Sequence, residues 1–161
     1  MTKKFGFLCC LVSCVFNTSI ALAFSCVEDN SLEARFGRAE RVMLLQITDT
    51  RREDKLAREL QPNTAPDDFL NLQSSGYKVL ENFKGNPAEE PRLLDIMGIG
   101  TGFVNFTPGY YNLVFMGPKP ATLNVDYRSV SLCDVVHHRH LDDPHLQKAI
   151  STVRKLRDKN P

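Results

Sequence analysis

The sequence predicts a mainly β protein in which a short N-terminal helix and a C-terminal amphipathic helix flank a small sheet. Five or six short apolar segments, separated by turn residues, have the length and composition of strands. Near the C-terminus, apolar residues spaced by three and four positions indicate the terminal helix. Strands of this number and length amount to a small barrel or sandwich, whose closure removes exposed strand edges.

The first 23 residues have the composition of a cleavable signal peptide and take no part in the fold. Two lysines precede an apolar run at 5–16, and a small-residue cleavage motif follows at Ala21-Leu22-Ala23. Polar residues interrupt the apolar stretch, which falls short of the roughly 20 apolar residues of a membrane span. An alternative is lipid anchoring at Cys14, where Leu11-Val12-Ser13-Cys14 resembles a bacterial lipobox. We expect residues 24–161 to form one exported domain, periplasmic or extracellular, with no transmembrane segment after cleavage.

Charge and motif content exclude several classes of function. The chain has 20 basic and 19 acidic residues, and the predicted signal peptide removes two lysines, so the mature chain is close to neutral. That balance lacks the excess positive charge that binds nucleic acids or anionic membranes. The sequence contains no phosphate-binding glycine loop, serine nucleophile elbow or zinc-protease helix. We therefore expect a protein that is not an enzyme, holds no cofactor and binds no nucleic acid.

Cysteine usage indicates one disulfide. Cys9, Cys10 and Cys14 leave with the signal peptide, so the mature chain keeps only Cys26 and Cys133. Two cysteines in an oxidising compartment usually pair, and without a Cys-x-x-Cys spacing a thiol-redox role is not favoured. A bridge near both ends of the domain would stabilise it by roughly 4 to 5 kcal/mol on the chain-entropy account. Two buried free thiols are the alternative.

The predicted strands are short segments that are apolar throughout or alternate apolar and polar residues. They are Val42–Thr48, Gly76–Phe83, Arg92–Met97, Tyr110–Met116, Leu123–Tyr127 and Val130–Val136. Between the first two, the charged stretch Arg51–Asp68 predicts a solvated insertion with one or two helical turns around Asp54–Leu60. Gly98, Gly100 and Gly102 predict an irregular connection after the third strand.

Both predicted helices have recognisable starts. Asn30 or Ser31 can cap a short helix that extends toward Arg41. Asp142 or Asp143 can cap the terminal helix, predicted over residues 142–159, with a proline in its first turn. Its apolar stripe should pack onto the sheet, and the stripe consists of Leu146, Ala149, Ile150, Val153 and Leu156.

The order of these elements, with several short motifs, resembles that of a known domain family. Its most recognisable parts are Phe83-Lys84-Gly85, the pattern Gly109-x-x-x-Leu113-Val114-Phe115, and the closing Ser131-Leu132-Cys133. Over roughly residues 25–136 the chain resembles the netrin-like domains related to tissue inhibitors of metalloproteinases, including their bacterial members. The resemblance implies a small OB-like, Greek-key β-barrel flanked by helices. It also implies that a cysteine near the N-terminus is disulfide-bonded to one further along the chain.

Metalloprotease inhibition is an alternative function that this resemblance implies. The family's inhibitors chelate the protease zinc through the amine and carbonyl groups of an N-terminal cysteine. Cleavage after Ala23 would place Phe24 and Ser25 ahead of Cys26 and block that geometry. Family members also often begin with Cys-x-Cys and carry a further cysteine in mid-domain, which this chain lacks. With this processing site, protease inhibition does not carry over.

Four histidines close together form the densest group of metal-ligand side chains. They are His137, His138, His140 and His145. Imidazoles, with the nearby carboxylates of Asp142 and Asp143, can bind zinc, copper or nickel. Structural zinc sites usually use ligand pairs set apart in the sequence, however, and Arg139 would repel a cation. The segment is therefore either a metal site or a solvated link between the last strand and the terminal helix.

The function that the sequence favours is a secreted or periplasmic, non-enzymatic module that binds another extracytoplasmic protein. Long loops often form binding surfaces, so we expect contacts at Arg51–Asp68 and in the glycine-rich loop. The contact residues predicted in that loop are Gly98, Gly100, Gly102 and Phe103. OB-type barrels also bind oligonucleotides, but that use requires a basic groove, which a near-neutral chain does not favour.

We expect the protein recovered outside the cytoplasm to begin at Phe24 and to contain a Cys26–Cys133 disulfide. Intact-mass spectrometry after thiol alkylation measures both properties, because the two cysteines accept alkyl groups only after reduction. A mature chain that begins at a lipidated Cys14, or one that is alkylated without reductant, would contradict this prediction.

Overall fold

The computed structural model describes Cys26, 29–60, Asn63, 71–86, 92–97, Val104, 106–118, 127–130 and 132–159. The predicted signal peptide, Cys14 and the glycine-rich loop residues Gly98, Gly100, Gly102 and Phe103 lie outside these residues. Most of the predicted strand Leu123–Tyr127 does so as well.

The described residues form one six-stranded sheet with helices packed on it. The strands are β1 (Arg41–Arg52), β2 (Asn71–Lys84), β3 (Arg92–Met97), β4 (Tyr111–Met116), β5 (Tyr127–Ser129) and β6 (Val135–His138). The helices are α1 (Leu32–Arg38), α2 (Asp54–Leu60) and α3 (Pro144–Lys159). The strand order is β5-β3-β2-β1-β4-β6, antiparallel except for the parallel pair of β3 and β5. The predicted mainly β class with flanking helices is confirmed.

Strand β1 is the centre of the sheet because both of its edges are paired and both of its faces are buried. It pairs antiparallel with β2 on one side and with β4 on the other. Val42 and Leu44 face the helices, whereas Met43, Leu45 and Ile47 face the opposite side. All five side chains are at most 4% exposed. A strand buried on both faces has the continuous apolar sequence seen here.

The turn that leads into β4 is predicted correctly. The Tyr110 N–H donates to the Thr107 carbonyl at 3.1 Å, which closes the turn around Pro108 and Gly109. Gly109 has φ +86°, a left-handed conformation that glycine adopts at little cost. The Gly109 N–H in turn donates to the Ile47 carbonyl at 2.8 Å, so the turn is fixed to β1.

Helices α1 and α3 cover one face of the sheet. The Ser31 hydroxyl accepts from the Ala34 N–H at 3.2 Å and caps α1, one of the two predicted capping options. Asp143 caps α3 through the N–H groups of His145 and Leu146, with Pro144 in the first turn. The apolar cluster under these helices consists of Phe36, Ala39, Val42, Leu44, Phe83, Leu113, Phe115, Leu146, Ala149, Ile150 and Val153.

Ion pairs add to the attachment of α3. The Arg154 guanidinium lies 2.6 Å from Glu81 on β2, and the Arg157 guanidinium lies 3.2 Å from the same carboxylate. Hydrogen bonds from Arg154 hold the pKa of Glu81 below its usual value. The basic residues near the end of α3 therefore include two that fix the helix to the sheet.

The opposite face of the sheet has a separate apolar cluster. It consists of Met43, Leu45, Ile47, Leu93, Val104, Phe106, Val114, Met116, Val130 and Val135. Val130 directly follows β5 and Val135 begins β6, and these strands are the two edges of the sheet. Both edges therefore contribute side chains to the same core.

Strand β2 begins five residues before its predicted start at Gly76, because its polar first half is held by buried hydrogen bonds. The Arg92 Nε donates to the Ser74 hydroxyl at 2.9 Å, and an Arg92 Nη contacts Asp49 at 2.5 Å. The Ser74 hydroxyl donates to the Glu53 carboxylate. A search for alternating apolar residues misses such a segment, since the polar side chains of Ser74 and Ser75 take buried positions.

The predicted insertion Arg51–Asp68 is partly structured. Its first two residues extend β1, and α2 forms over the predicted range Asp54–Leu60. Leu56 and Ala57 are buried against Leu72 and Leu94. This part of the insertion packs on the sheet and is not a solvated loop.

The predicted strand Val130–Val136 is wrong in its middle, where a 3-10 turn forms at Leu132–Asp134. Before the turn, the Val130 N–H donates to the Leu94 carbonyl of β3 at 3.3 Å. After it, Val135 pairs with Val114 of β4. The chain changes partner strands between these points, and one straight strand cannot make that change.

Within the described residues, no helix combines the length and apolar character that crossing a lipid bilayer requires.

Replacing Leu146 with alanine should lower the free energy of unfolding by about 2 to 5 kcal/mol, because this side chain is fully buried between α3 and the sheet. Lys148→Ala, on the exposed side of the same helix, serves as control and should change it by less than about 0.5 kcal/mol. Chemical denaturation of the oxidised proteins measures both values. Equal effects of the two substitutions would show that α3 is not packed as described.

Candidate functional site

A covalent tie joins the segment before α1 to the 3-10 turn before β6. Cys26 and Cys133 form a disulfide pair with 5.8 Å between their Cα atoms and 107 positions between them in sequence. This Cα separation lies within the range that disulfides adopt. The pair that the sequence predicts is therefore brought together by the fold.

A cleft of about 370 Å³ lies beside this bond, between the C-terminal end of α1 and the end of β4. We call it the disulfide cleft. Its lining residues are Cys26, Asn30, Arg35, Arg38, Ala39, Phe115, Gly117, Pro118, Cys133 and Asp134. They combine an apolar wall with two guanidinium groups and one carboxylate, a composition typical of binding pockets.

Helix α1 places both arginines at the cleft. Arg35 and Arg38 are three positions apart in its last turn, so they share one face of the helix. An Arg38 Nη donates to the Asp29 carbonyl at 2.9 Å, which connects the helix to the segment after Cys26. Phe36 is buried in the core and fixes the orientation of α1. The arginines are therefore held by the fold.

Arg35 is the most unusual side chain of the cleft. Its guanidinium carbon lies 5.9 Å from the centroid of the Phe115 ring, within cation–π distance. Its Nε is buried and has no hydrogen-bond acceptor among the described residues. Burial lowers the pKa of Arg35, and the nearby Asp134 carboxylate opposes this shift. A buried donor without an acceptor costs free energy unless a ligand supplies one.

The four histidines predicted as metal ligands do not converge. His137 faces Asn112 across the strand pair, with Nδ1 2.6 Å from the amide oxygen, and its ring stacks on Tyr110. The Asn112 nitrogen donates to the Tyr110 carbonyl, so its oxygen is the acceptor and His137 Nδ1 carries the proton. Neighbouring residues of a strand point to opposite faces, so His138 points away from this group.

His138 belongs to a second, separate contact. Its Nδ1 lies 3.2 Å from the Asp143 carboxylate, and its ring stacks on His145 with 6.3 Å between the centroids. Burial raises the pKa of Asp143, but N–H groups of α3 lower it, and the net direction is downward. Asp143 is already engaged as the cap of α3, so this contact has a structural role.

His140 lies in the turn between β6 and α3, where its carbonyl accepts from the Asp143 N–H at 3.3 Å. It is exposed and lines a shallow second cleft of about 510 Å³, formed with Tyr111, Leu141, Asp142 and Gln147. Across the described part of the chain, no three histidine, cysteine, aspartate or glutamate side chains are arranged to hold a metal ion. The residues between β6 and α3 form a turn that ends at the Asp143 cap of the helix.

Sequence reasoning missed the disulfide cleft. Its walls come from two parts of the chain, Cys26 with 30–39 and 115–118 with 133–134, which are distant in the sequence and have no recognisable spacing. Cys26 and Cys133 were the usable signal, since a predicted bridge between them implies that these two segments meet.

Comparisons with known proteins assign no family to this arrangement. No protein-family model matches the chain, and no curated protein matches it. The resemblance to netrin-like domains therefore stays a prediction from the sequence.

His137 should make the protein less stable as the pH falls. Burial lowers the pKa of His137 below 6.5, and the charge of His138 lowers it further. Below pH 6.5 the unfolded chain therefore binds a proton that the folded chain does not. Its stability contribution is present above pH 6.5 and is lost as the pH falls from there through the folded-state pKa. In His137→Gln, the free energy of unfolding should decrease less between about pH 7.5 and about pH 5.

The matched control is Val135→Ala, which weakens the same strand without removing a titratable group. It should keep the pH dependence of the unmodified protein in denaturant titrations. An unchanged pH dependence in His137→Gln would show that this ring does not titrate differently on folding.

Proposed function

We propose that the chain is an exported, non-enzymatic protein-binding module built on an OB-type barrel, as the resemblance to netrin-like domains implies. The observation that carries the proposal is the disulfide cleft, a concave surface with cationic donors and an apolar wall on a covalently tied part of the fold. The contact surface consists of this cleft and the predicted glycine-rich loop, including Phe103.

The strand connections support the barrel. Strands β5 and β6 form opposite edges of the sheet, yet only residues 130–134 separate them along the chain. The six Cα–Cα steps from Ser129 to Val135 span at most about 22 Å, so the ends of the two edge strands cannot lie far apart. Val130 and Val135, at either end of this short link, pack in the same apolar cluster. The two edges are not hydrogen-bonded to each other in the described sheet, so the short link supports the barrel without closing it.

The disulfide cleft supports binding, because its lining is held before a partner arrives. The Cys26–Cys133 bond fixes one side, and α1 is fixed by its Ser31 cap and by Phe36 in the core. A surface ordered in advance loses less conformational entropy when a partner binds. The apolar wall and the charged groups can then contribute to affinity and specificity respectively.

Site-specific photo-crosslinking tests the proposal in cells that make the protein. A photoreactive amino acid at Asn30 or Pro118 should give a covalent adduct with one protein of defined mass, because both residues line the cleft. The same group at Phe103 tests the glycine-rich loop. Placed at Lys148, on the exposed face of α3, it should give no such adduct.

The result that contradicts the proposal is equal labelling at Pro118 and Lys148, or no adduct at any cleft position. Mass spectrometry of the adduct identifies the crosslinked peptide of the partner. Cell fractionation of the same samples tests the predicted export.

A further inference from the structure

We propose that the disulfide cleft receives a single acidic side chain, aspartate or glutamate, from the polypeptide that the module binds, with Arg35 as the residue that recognises the carboxylate. The inference rests on the proposed protein-binding function and names the chemistry of the partner. It follows from the unsatisfied donor, the balance of charge and the apolar wall of the cleft.

Arg35 determines the ligand class. Its Nε is buried without an acceptor among the described residues, and Arg35 is one of the residues that line the cleft. Because Nε has no accessible surface in the free protein, a ligand reaches it only when the Arg35 side chain turns toward the cleft, where a carboxylate can accept two parallel hydrogen bonds, one of them from Nε. An acidic side chain would therefore supply the acceptor that the structure lacks, and a neutral amide could supply only one uncharged oxygen.

The charges around the cleft favour one carboxylate. Arg35 and Arg38 are cationic and Asp134 is anionic, so the wall has one positive charge in excess. Asp134 lines the same cleft and interacts electrostatically with Arg35, so it opposes an anionic ligand at this guanidinium group. A run of acidic residues would meet more repulsion from Asp134 than a single one does.

The apolar wall of the cleft indicates which kind of residue stands next to the acidic side chain in the ligand. Phe115, Pro118 and Ala39 line the cleft beside the disulfide. A volume of about 370 Å³ is small for a binding pocket, so it suits one side chain and its neighbour within an extended segment. The preferred segment therefore has an aspartate or glutamate next to an apolar residue.

Peptide binding to the oxidised full-length mature protein tests this inference. The probes are two pools of acetylated, amidated heptapeptides with randomised flanking positions, one with a central glutamate and the other with a central glutamine. The ¹⁵N-edited NMR signal of Arg35 Nε–H reports directly on the proposed contact. We expect the glutamate pool to shift this signal and the glutamine pool to leave it in place.

Variants separate recognition from folding. Arg35→Gln should weaken binding of the glutamate pool roughly tenfold or more, and Arg35→Lys should keep part of the affinity because the charge remains. Asp134→Asn should strengthen binding, since it removes the opposing charge. Arg52→Gln removes an exposed arginine on β1, away from the cleft, and should have no effect. Denaturation midpoints confirm that each variant is folded.

The two proposals fail in distinguishable ways. Equal shifts of Arg35 Nε–H with both pools, or none with either, would overturn the acidic-ligand inference even where crosslinking at Pro118 still captures a partner. Glutamate-selective shifts together with no crosslinked partner would support the acidic site and overturn the proposed function. Unchanged binding in Arg35→Gln would also overturn the inference.

Discussion

The fold depends on the burial of both faces of β1. Met43 and Leu45 enter the core on one side of the sheet, and Val42 and Leu44 enter the core under the helices on the other. Because residues 42–46 of β1 also pair along both edges, this half of the strand is fixed by side-chain packing and by the backbone ladder. The position of α1, and with it the wall of the disulfide cleft, follows from this strand.

The candidate site lies at the border of the apolar core, where a core side chain contacts a charged one. Phe115 belongs to the apolar cluster under α1 and α3, yet it also forms the floor on which Arg35 lies. Core packing explains the position of the Phe115 ring, but it does not explain why the Arg35 Nε is buried without an acceptor. Native proteins rarely leave such donors unsatisfied, so this one calls for an explanation beyond packing.

Much of the fold could be predicted from the sequence, because most elements follow a single periodicity. The bounds of β3 and α2 agree with prediction, and α3 begins beside its predicted cap. The first half of β2 was missed because Ser74 is buried by its hydrogen bonds to charged groups, which no apolar pattern reveals. The cleft was missed because residues far apart in the chain meet there, and the histidines were separated by strand alternation and by the cap of α3.

The disulfide has a consequence for the order in which the molecule matures. Its two cysteines are 107 positions apart, and Cys133 follows all of β1 to β5 along the chain. Synthesis from the N-terminus therefore produces nearly the whole sheet before the second thiol exists. The pair therefore cannot be oxidised before β1 to β5 have been synthesised, and a chain truncated before Cys133 would retain Cys26 as an unpaired thiol.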